Sequence, residues 1–215
     1  MAVDENLMRQ ILDIEWEMFH TVEGIEGPAV CQQDRKTFDL MRESQIQSWN
    51  DAVAESYLDD LALADAHGRN LMTEKYARMM EYTSPCEFRR IEAKLPPLDE
   101  EAVPFVERLT RRLVGWQEDV MENYPYLGGQ GRPIHSVDDN KYTPSFETYN
   151  RGELSTYSAR TLELLEQHYT EIAAAGENPA EIILRNTIKH YGYSSLDRAE
   201  AVQKARIEQM RSGGA

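Results

Sequence analysis

Helical periodicity of the apolar residues is the feature that most constrains this chain. Laid out at about 100° per residue, the N-terminal segment carries one apolar stripe, made of Met8, Ile11, Leu12, Met18, Phe19 and Val22. Asp4 is a candidate N-cap for this first helix, which the pattern extends to about Val22. Helical spacing continues along the chain without paired strand signals or internal repeats. The sequence therefore predicts an all-α bundle of several helices, folded as a single domain over residues 1–215.

A second helix is the longest that the pattern predicts. It opens near Asp34, its period persists to His67, and Gly68 supplies a stop. Leucines lie on two opposite sides of this helix, so we expect it to run through the centre of the bundle. The glycines and proline of "GIEGPA" (24–29) predict a break before it.

Five further helices are indicated by caps and stops along the rest of the chain. They run from Asn70 to before Pro85, from Asp99 to "ENYP", over about 153–175, from Asn178 to Gly192, and from about Ser195 to a frayed tail at 212–215. The longest irregular stretch covers 125–146. Because such a stretch in a compact domain is usually functional or mobile, we expect it to be a candidate lid loop.

The strong negative charge excludes more functions than it identifies. The chain has 38 acidic and 23 basic residues, a formal net charge of −15 at pH 7, which repels nucleic acid and anionic membranes. No apolar run approaches the ~20 residues of a membrane span, and the first residues lack a signal-peptide pattern. Cys31 and Cys86 show no pairing or metal-ligand spacing. We expect a cytoplasmic protein that acts on a small molecule, with an amine or guanidinium group weakly favoured.

Glu15 lies in the middle of the apolar stripe of the first helix. An unpaired carboxylate in a core costs several kcal/mol, so such a group is paired with a cation, neutralised by a proton or used in the protein's function. The second helix has a similar mixed stripe, formed by Phe38, Arg42, Gln45, Trp49, Ser56 and Asp60 with Asp34 at its margin. Two interpretations remain open: Arg42 pairs with Glu15 or Asp60 in a structural ion network, or Arg42 and Gln45 hold a ligand over Trp49.

A third polar group lies where the long loop meets the fifth helix. Its members are Glu147, Tyr149, Glu153 and Tyr157. Tyrosines beside carboxylates can donate and accept protons, although acidic residues are also ordinary at a helix start. In "GRNLMTEKYARMM" the charges form a solvated face, with Lys75 expected to point inward. His168 lies on an apolar helix face, where a histidine is more often a satisfied core residue than a catalyst.

Motifs for phosphate loops, zinc sites and serine nucleophiles do not occur in this sequence. Glu17-x-x-His20 has the spacing of di-iron bundles, but those sites need a second such pair and two further carboxylates. The sequence therefore predicts neither a metal nor a cofactor.

Four blocks of the sequence resemble a bacterial family catalogued as domain of unknown function four-one-two-five, and the likeness covers nearly the whole chain. The blocks are "EWEMF", "CQQDRKTFDLMRESQIQSW", "GRNLMTEKYARMM" and "ETYNRGELSTYS". The resemblance implies that twelve residues belong to family motifs: Glu15, Gln32, Asp34, Arg42, Gln45, Trp49, Lys75, Tyr76, Glu147, Tyr149, Glu153 and Tyr157. It implies no activity.

Convergence of these polar faces would give the bundle a wet, charged pocket, which is where helical proteins build sites. We expect a cofactor-independent lyase-type enzyme that eliminates, hydrates, isomerises or cyclises a small polar metabolite. The candidate catalytic residues are Glu15, Glu147, Glu153 and Tyr157. The candidate substrate-binding residues are Gln32, Asp34, Arg42, Gln45, Trp49, Asp60, Lys75, Tyr76 and Tyr149.

Two other functions remain open. One is a metal-dependent oxygenase or hydrolase that uses the carboxylates of Glu15, Asp34, Asp60 and Glu147. The other is a non-enzymatic bundle that binds a small ligand or serves as an adaptor. The sequence leaves the oligomeric state open.

Overall fold

The computed structural model describes residues 3–23 and 30–212, and these ranges form eleven α-helices with no strand. In chain order the helices are α1 (Glu5–His20), α2 (Arg35–Ile46), α3 (Asp51–Ala66), α4 (Leu71–Thr83), α5 (Pro85–Ile91), α6 (Val103–Asn123), α7 (Pro125–Gly128), α8 (Phe146–Leu154), α9 (Ala159–Ala174), α10 (Pro179–His190) and α11 (Leu196–Ser212). The prediction of a single all-α domain is confirmed. The break predicted at residues 24–29 and all but Ser212 of the predicted tail lie outside the described residues.

Four of the helices, α1, α4, α10 and α11, begin and end close to where the sequence signals predict. Asp4 caps α1, Asn70 caps α4 and Asn178 caps α10, each by accepting hydrogen bonds from backbone N–H groups of the first turn. Gly176 and Gly192 follow α9 and α10 with φ of 81°, the left-handed conformation that a glycine permits at a helix end. The helix predicted from Asp99 begins at Val103 instead, because Asp99 first forms a turn that holds Ala102 and Val103.

The long central helix predicted from Asp34 to His67 is two helices, α2 and α3. They are separated by residues 47–50, where Asn50 caps α3 by accepting a hydrogen bond from the Val53 N–H at 3.0 Å. His168 on α9 contacts this break through Nε2, which lies 2.9 Å from the Ser48 carbonyl oxygen. These side chains satisfy backbone groups that a continuous helix would pair internally, so the chain can change direction here.

The fifth predicted helix and the long loop also differ from expectation. Two helices, α8 and α9, replace the single helix expected over 153–175, because Ser158 begins α9 as an N-cap. The stretch 125–146 is irregular but contains α7 and one turn of 3-10 helix at Ser136–Asp138. Its first residues are fixed, because the Tyr126 and Leu127 N–H groups donate to the Glu200 carboxylate at 2.9 and 2.8 Å.

The core lies between α1, α3, α4, α6, α8 and α9, which pack on one another. Helix α2 packs on α1 and α10, so one face of α2 also points toward this core. Gly152 of α8 makes a close approach to α4: a Cβ at this position would lie 2.7 Å from Met79 Cγ and 3.0 Å from the Lys75 carbonyl oxygen. The absent side chain lets α8 approach α4, which brings the next residue, Glu153, to Lys75.

Candidate functional site

Glu15 is completely buried and its carboxylate is bound by two residues. Arg42 donates from Nε to Oε2 at 2.7 Å and from Nη2 to Oε1 at 2.5 Å. The hydroxyl of Tyr57 donates to Oε1 at 2.7 Å. Helices α1, α2 and α3 supply one side chain each, so this bidentate pair joins three helices.

Glu153 of α8 accepts hydrogen bonds from four side chains. Its Oε1 accepts from Arg42 Nη1 at 2.9 Å, from Gln45 Nε2 at 2.9 Å and from the Tyr157 hydroxyl at 2.8 Å. Its Oε2 accepts from Lys75 Nζ at 2.6 Å. Arg42 therefore bridges the two buried carboxylates.

These seven side chains form one continuous cluster, which we call the buried network: Glu15, Arg42, Gln45, Tyr57, Lys75, Glu153 and Tyr157. Two carboxylates face one guanidinium and one ammonium, so the formal charges cancel. All members except half-buried Gln45 have at most 5% of their surface exposed. Six of these residues are among the candidate site residues that the sequence indicated, and the structure brings them together; Tyr57 was not among the candidates.

The pKa shifts in the buried network keep its groups in their ordinary charge states. Burial alone would raise the pKa of Glu153, but the charges of Arg42 and Lys75 outweigh it and hold this pKa well below its usual value. Burial would lower the pKa of Lys75, but the Glu153 charge outweighs it and raises this pKa. For Tyr57 and Tyr157, burial and the adjacent carboxylates raise the pKa well above 10.0. At neutral pH Glu153 is an anion, Lys75 a cation and both tyrosines are neutral donors.

Aromatic rings surround the buried network. Trp49 packs edge-on against Tyr57 and Tyr157, with ring centroids 5.6 and 6.4 Å apart. At the opposite end, the ring of half-buried Tyr149 lies over Lys75, with Nζ 3.7 Å from the ring centroid. Exposed Arg132 lies over the same Tyr149 ring at 4.7 Å, so Tyr149 stands between Lys75 and an exposed side chain of the 125–146 stretch.

Seven of the predicted site residues lie outside the buried network: Trp49 and Tyr149 pack around it as described above, and the other five have the following partners. Gln32 donates from Nε2 to the Phe19 and Val22 carbonyl oxygens, at the end of α1. Asp34 caps α2, and Asp60 accepts hydrogen bonds from the Ser158 N–H and the Thr161 hydroxyl at the start of α9. Glu147 accepts from the Ser136 N–H and pairs with Arg151.

The fifth of these residues is Tyr76, which is half-buried beside Lys75 with its ring centroid 5.8 Å from Nζ. Its ring also packs against Phe19 at 6.1 Å. Tyr76 thus forms part of the wall around the ammonium group.

The structure does not assemble the carboxylate set expected for a metal site. Glu15 is bound by Arg42, while Asp34, Asp60 and Glu147 have separate partners on other parts of the molecule. Within 3–23 and 30–212, no group of three or more histidine, cysteine or acidic side chains lies close enough together to hold a metal ion. The four carboxylates named for that alternative therefore do not share one site.

Tyr57 was missed because the helix that carries it was assigned the wrong phase. A continuous helix from Asp34 to His67 would have placed Ser56 and Asp60 in line with Arg42. The break at residues 47–50 resets the phase, and the buried face of α3 consists of Val53, Ala54, Tyr57, Leu61 and Ala64. The apolar spacing of that segment, taken separately from Asn50 onward, would have indicated Tyr57.

In the described part of the chain, two surface pockets lie outside the buried network and are lined by none of its members. One has a volume of about 220 Å³ and lies between α4, α6 and α8. The other, about 460 Å³, lies between α1 and the turn that joins α3 to α4.

None of the helices in the described part of the chain is long and apolar enough to span a bilayer.

The family model described as "Protein of unknown function (DUF4125)" matches residues 5–201 of the chain. This match confirms the family likeness that the four sequence blocks predicted. Neither a curated protein nor a solved structure matches the chain.

Proposed function

We propose that this chain, which belongs to the DUF4125 family, is a helical bundle that binds a small molecule without transforming it. The observation that carries this proposal is the saturation of the buried network. Glu15 accepts three hydrogen bonds and Glu153 accepts four, all from the protein's own side chains. With these donors engaged and the charges balanced, the buried network fixes the helices relative to one another.

The protonation states of the buried network also favour a structural role. A general acid or base works best when its pKa lies near the operating pH. The pKa of Glu153 is lowered, while those of Lys75 and the two tyrosines are raised, so all four pKa values are shifted further from pH 7. Proton transfer by these groups at pH 7 would require the buried network to open first.

A small-molecule ligand finds better-suited space at the surface, in the 220 Å³ pocket between α4, α6 and α8. That volume lies a little below the roughly 300–1,000 Å³ of sites for drug-sized ligands, so it suits a compact metabolite. Exposed, unpaired Cys86 is compatible with a reducing compartment, and we propose that the protein acts in the cytoplasm.

A second candidate function, a cofactor-independent lyase, is favoured by one observation. The Lys75 end of the buried network is covered by the Tyr149 ring, and exposed Arg132 lies over that ring. Movement of the 125–146 stretch would remove Arg132, and rotation of the Tyr149 side chain would then give a substrate access to Lys75, Glu153 and Tyr157. In that state Glu15 and Glu153 would be the acid–base pair, Tyr157 a proton donor and Arg42 the group that holds a substrate carboxylate.

One experiment separates the two candidates. Wild-type protein and the Glu15→Gln variant are incubated with a bacterial metabolite extract, and circular dichroism verifies that the variant is folded. Native mass spectrometry then identifies retained molecules, and mass spectrometry of the extract identifies depleted ones. Binding without transformation predicts a molecule retained by both proteins and recovered unchanged. Turnover of a metabolite by wild type that Glu15→Gln cannot perform would overturn it in favour of the lyase.

If the Glu15→Gln variant does not fold, a second variant is used in the same experiment. Tyr157→Phe then replaces Glu15→Gln, because Glu153 Oε1 keeps two other donors in that variant. Glu208→Gln, an exposed change on α11, controls for the loss of one negative charge.

A further inference from the structure

The pocket between α4, α6 and α8 combines an incompletely paired cation with an open apolar wall. Its lining residues are Arg78, Glu81, Tyr82, Leu98, Asp99, Ala102, Val103, Val106, Glu107, Arg151, Gly152 and Ser155. The pocket is separate from the buried network and contains none of the residues that the sequence indicated for catalysis or substrate binding. Its chemistry can therefore be assessed by itself.

Arg78 is the cation with unused hydrogen-bonding capacity. A guanidinium has five N–H donors, yet the described residues accept only one hydrogen bond from this one, from Nη2 to the Pro96 carbonyl oxygen at 2.8 Å. Its Nε is enclosed without a partner, and no described carboxylate forms an ion pair with it. Burial lowers the pKa of Arg78, and this effect outweighs the nearby charges of Glu74 and Glu81, which raise it.

Arg151, the other arginine of the pocket, is already neutralised. It donates to both oxygens of Glu107 at 3.1 and 3.3 Å and pairs with Glu147 at 3.1 Å. The contrast between the two arginines leaves Arg78 as the group able to accept an anionic partner.

The apolar wall is exposed where a folded chain would normally bury it. Tyr82, Leu98 and Val103 expose 39%, 43% and 39% of their surfaces, and all three line this one pocket. Ala102 and Val106 continue the wall inward as buried residues. Clustered exposed apolar side chains around a concavity are typical of binding sites, whereas single ones are not.

We propose that this pocket binds a small molecule that carries one carboxylate and a compact apolar body. The carboxylate pairs with Arg78, and the apolar body rests on Tyr82, Leu98 and Val103. This inference rests on the proposed function, since it names the site and ligand class of the binding activity.

Three acidic residues line the pocket and limit the charge of the ligand. Glu81 is exposed three residues after Arg78 on the same helix, so its charge opposes a bound anion. Asp99 accepts a hydrogen bond from the Glu101 N–H, and Glu107 is held by Arg151. A single carboxylate is therefore favoured over a di- or tricarboxylate.

The test uses the full chain and two matched probes, 3-phenylpropionate and its uncharged analogue 3-phenylpropanamide. Heteronuclear NMR titration at millimolar probe measures affinity and identifies the perturbed backbone amides. We expect the carboxylate to shift the amides of Leu98, Ala102, Val103 and Val106, and to bind at least about tenfold more tightly than the amide. Equal binding of the two probes, or shifts confined to another part of the molecule, would overturn the inference.

Variants test whether Arg78 and Glu81 determine the affinity for 3-phenylpropionate. Arg78→Met keeps an apolar stem of similar length and should weaken 3-phenylpropionate binding by about tenfold or more. Glu81→Gln should strengthen it by roughly twofold, because it removes a like charge at the rim. Arg160→Met, at an exposed position on α9, should leave the affinity unchanged. Unchanged affinity in Arg78→Met would contradict the assignment.

Failure here and failure of the proposed function give different results. If a retained metabolite maps to another surface, the ligand site is wrong while binding without transformation stands. If a metabolite is turned over, the proposed function is wrong whatever the probes do.

Discussion

Arg42 and Glu15 form a bidentate ion pair in the core, with Nε–Oε2 and Nη2–Oε1 distances of 2.7 and 2.5 Å. Glu15 has no exposed surface and Arg42 has 5%. The remaining Nη1 of Arg42 donates to Glu153, so one guanidinium contacts two buried carboxylates that are far apart in sequence. Desolvation opposes such an arrangement, which is stable only while every charge has its partner.

Arg42→Met should therefore destabilise the fold strongly. The substitution leaves Glu15 without a cationic partner and leaves Lys75 as the cationic partner of Glu153. Removing one partner of a buried ion pair costs about 3–5 kcal/mol. Urea unfolding measures the loss. Arg108→Met, which breaks the exposed pair with Glu166, is the control and should change the unfolding free energy little.

A double-mutant cycle then tests whether the effect belongs to the pair. Glu15→Gln combined with Arg42→Met should cost clearly less than the sum of the two single changes, because the double variant leaves no unpaired charge at Glu15. Additive costs would show that the two residues act independently.

Tyr57→Phe should destabilise the protein more than Tyr157→Phe. Each change removes one hydroxyl that donates to a buried carboxylate, a bond worth about 1.5–3 kcal/mol. After Tyr57→Phe, Glu15 Oε1 keeps Arg42 as its only donor, whereas after Tyr157→Phe, Glu153 Oε1 keeps two. Denaturant midpoints of the two variants give the order, with exposed Tyr191→Phe as the control. The reverse order would contradict the donor assignment.

The helices were predictable because their amphipathic period and their caps are local in sequence. Asp4, Asn70 and Asn178 act on N–H groups within three residues, so their roles could be read from the chain alone. The break between α2 and α3 was not predictable in this way, because it also depends on His168, about 120 residues away. Missing that break misassigned the phase of α3 and concealed Tyr57.

The sequence also could not predict that the side chains of the buried network bind one another and leave no pocket between them. The mixed stripes showed that Glu15, Arg42 and Gln45 lie on inward faces, but a ligand pocket and a structural ion network produce the same stripe. Their difference lies in distances between helices, such as the 2.6 Å from Lys75 to Glu153. Those distances depend on a close approach of α8 to α4 that no local pattern encodes.

Acid should destabilise the fold through Glu153. Its pKa in the folded protein is lowered below the usual 4.5, so its contribution to stability is present above that value. As the pH falls below about 4.5, the unfolded chain binds a proton before the folded protein does, and the contribution is progressively lost. The unfolding free energy, measured between pH 6 and pH 3, should fall less steeply in Glu153→Gln than in wild type. Identical slopes would contradict this, and Glu208→Gln controls for a carboxylate lost at the surface.

Gly152→Ala should separate α8 from α4 and weaken the buried network from outside it. A Cβ at Gly152 would lie 2.7 Å from Met79 Cγ and 3.0 Å from the Lys75 carbonyl oxygen, and the latter is backbone that cannot rotate away. Overpacking of this kind costs about 1–3 kcal/mol. Gly115→Ala is the matched control, because a Cβ there meets nothing within 4 Å and should stabilise α6 by about 0.5–1 kcal/mol. Thermal and urea unfolding of the two variants should therefore shift in opposite directions. If both stabilised the protein, the close contact between α8 and α4 would not be what brings Glu153 to Lys75.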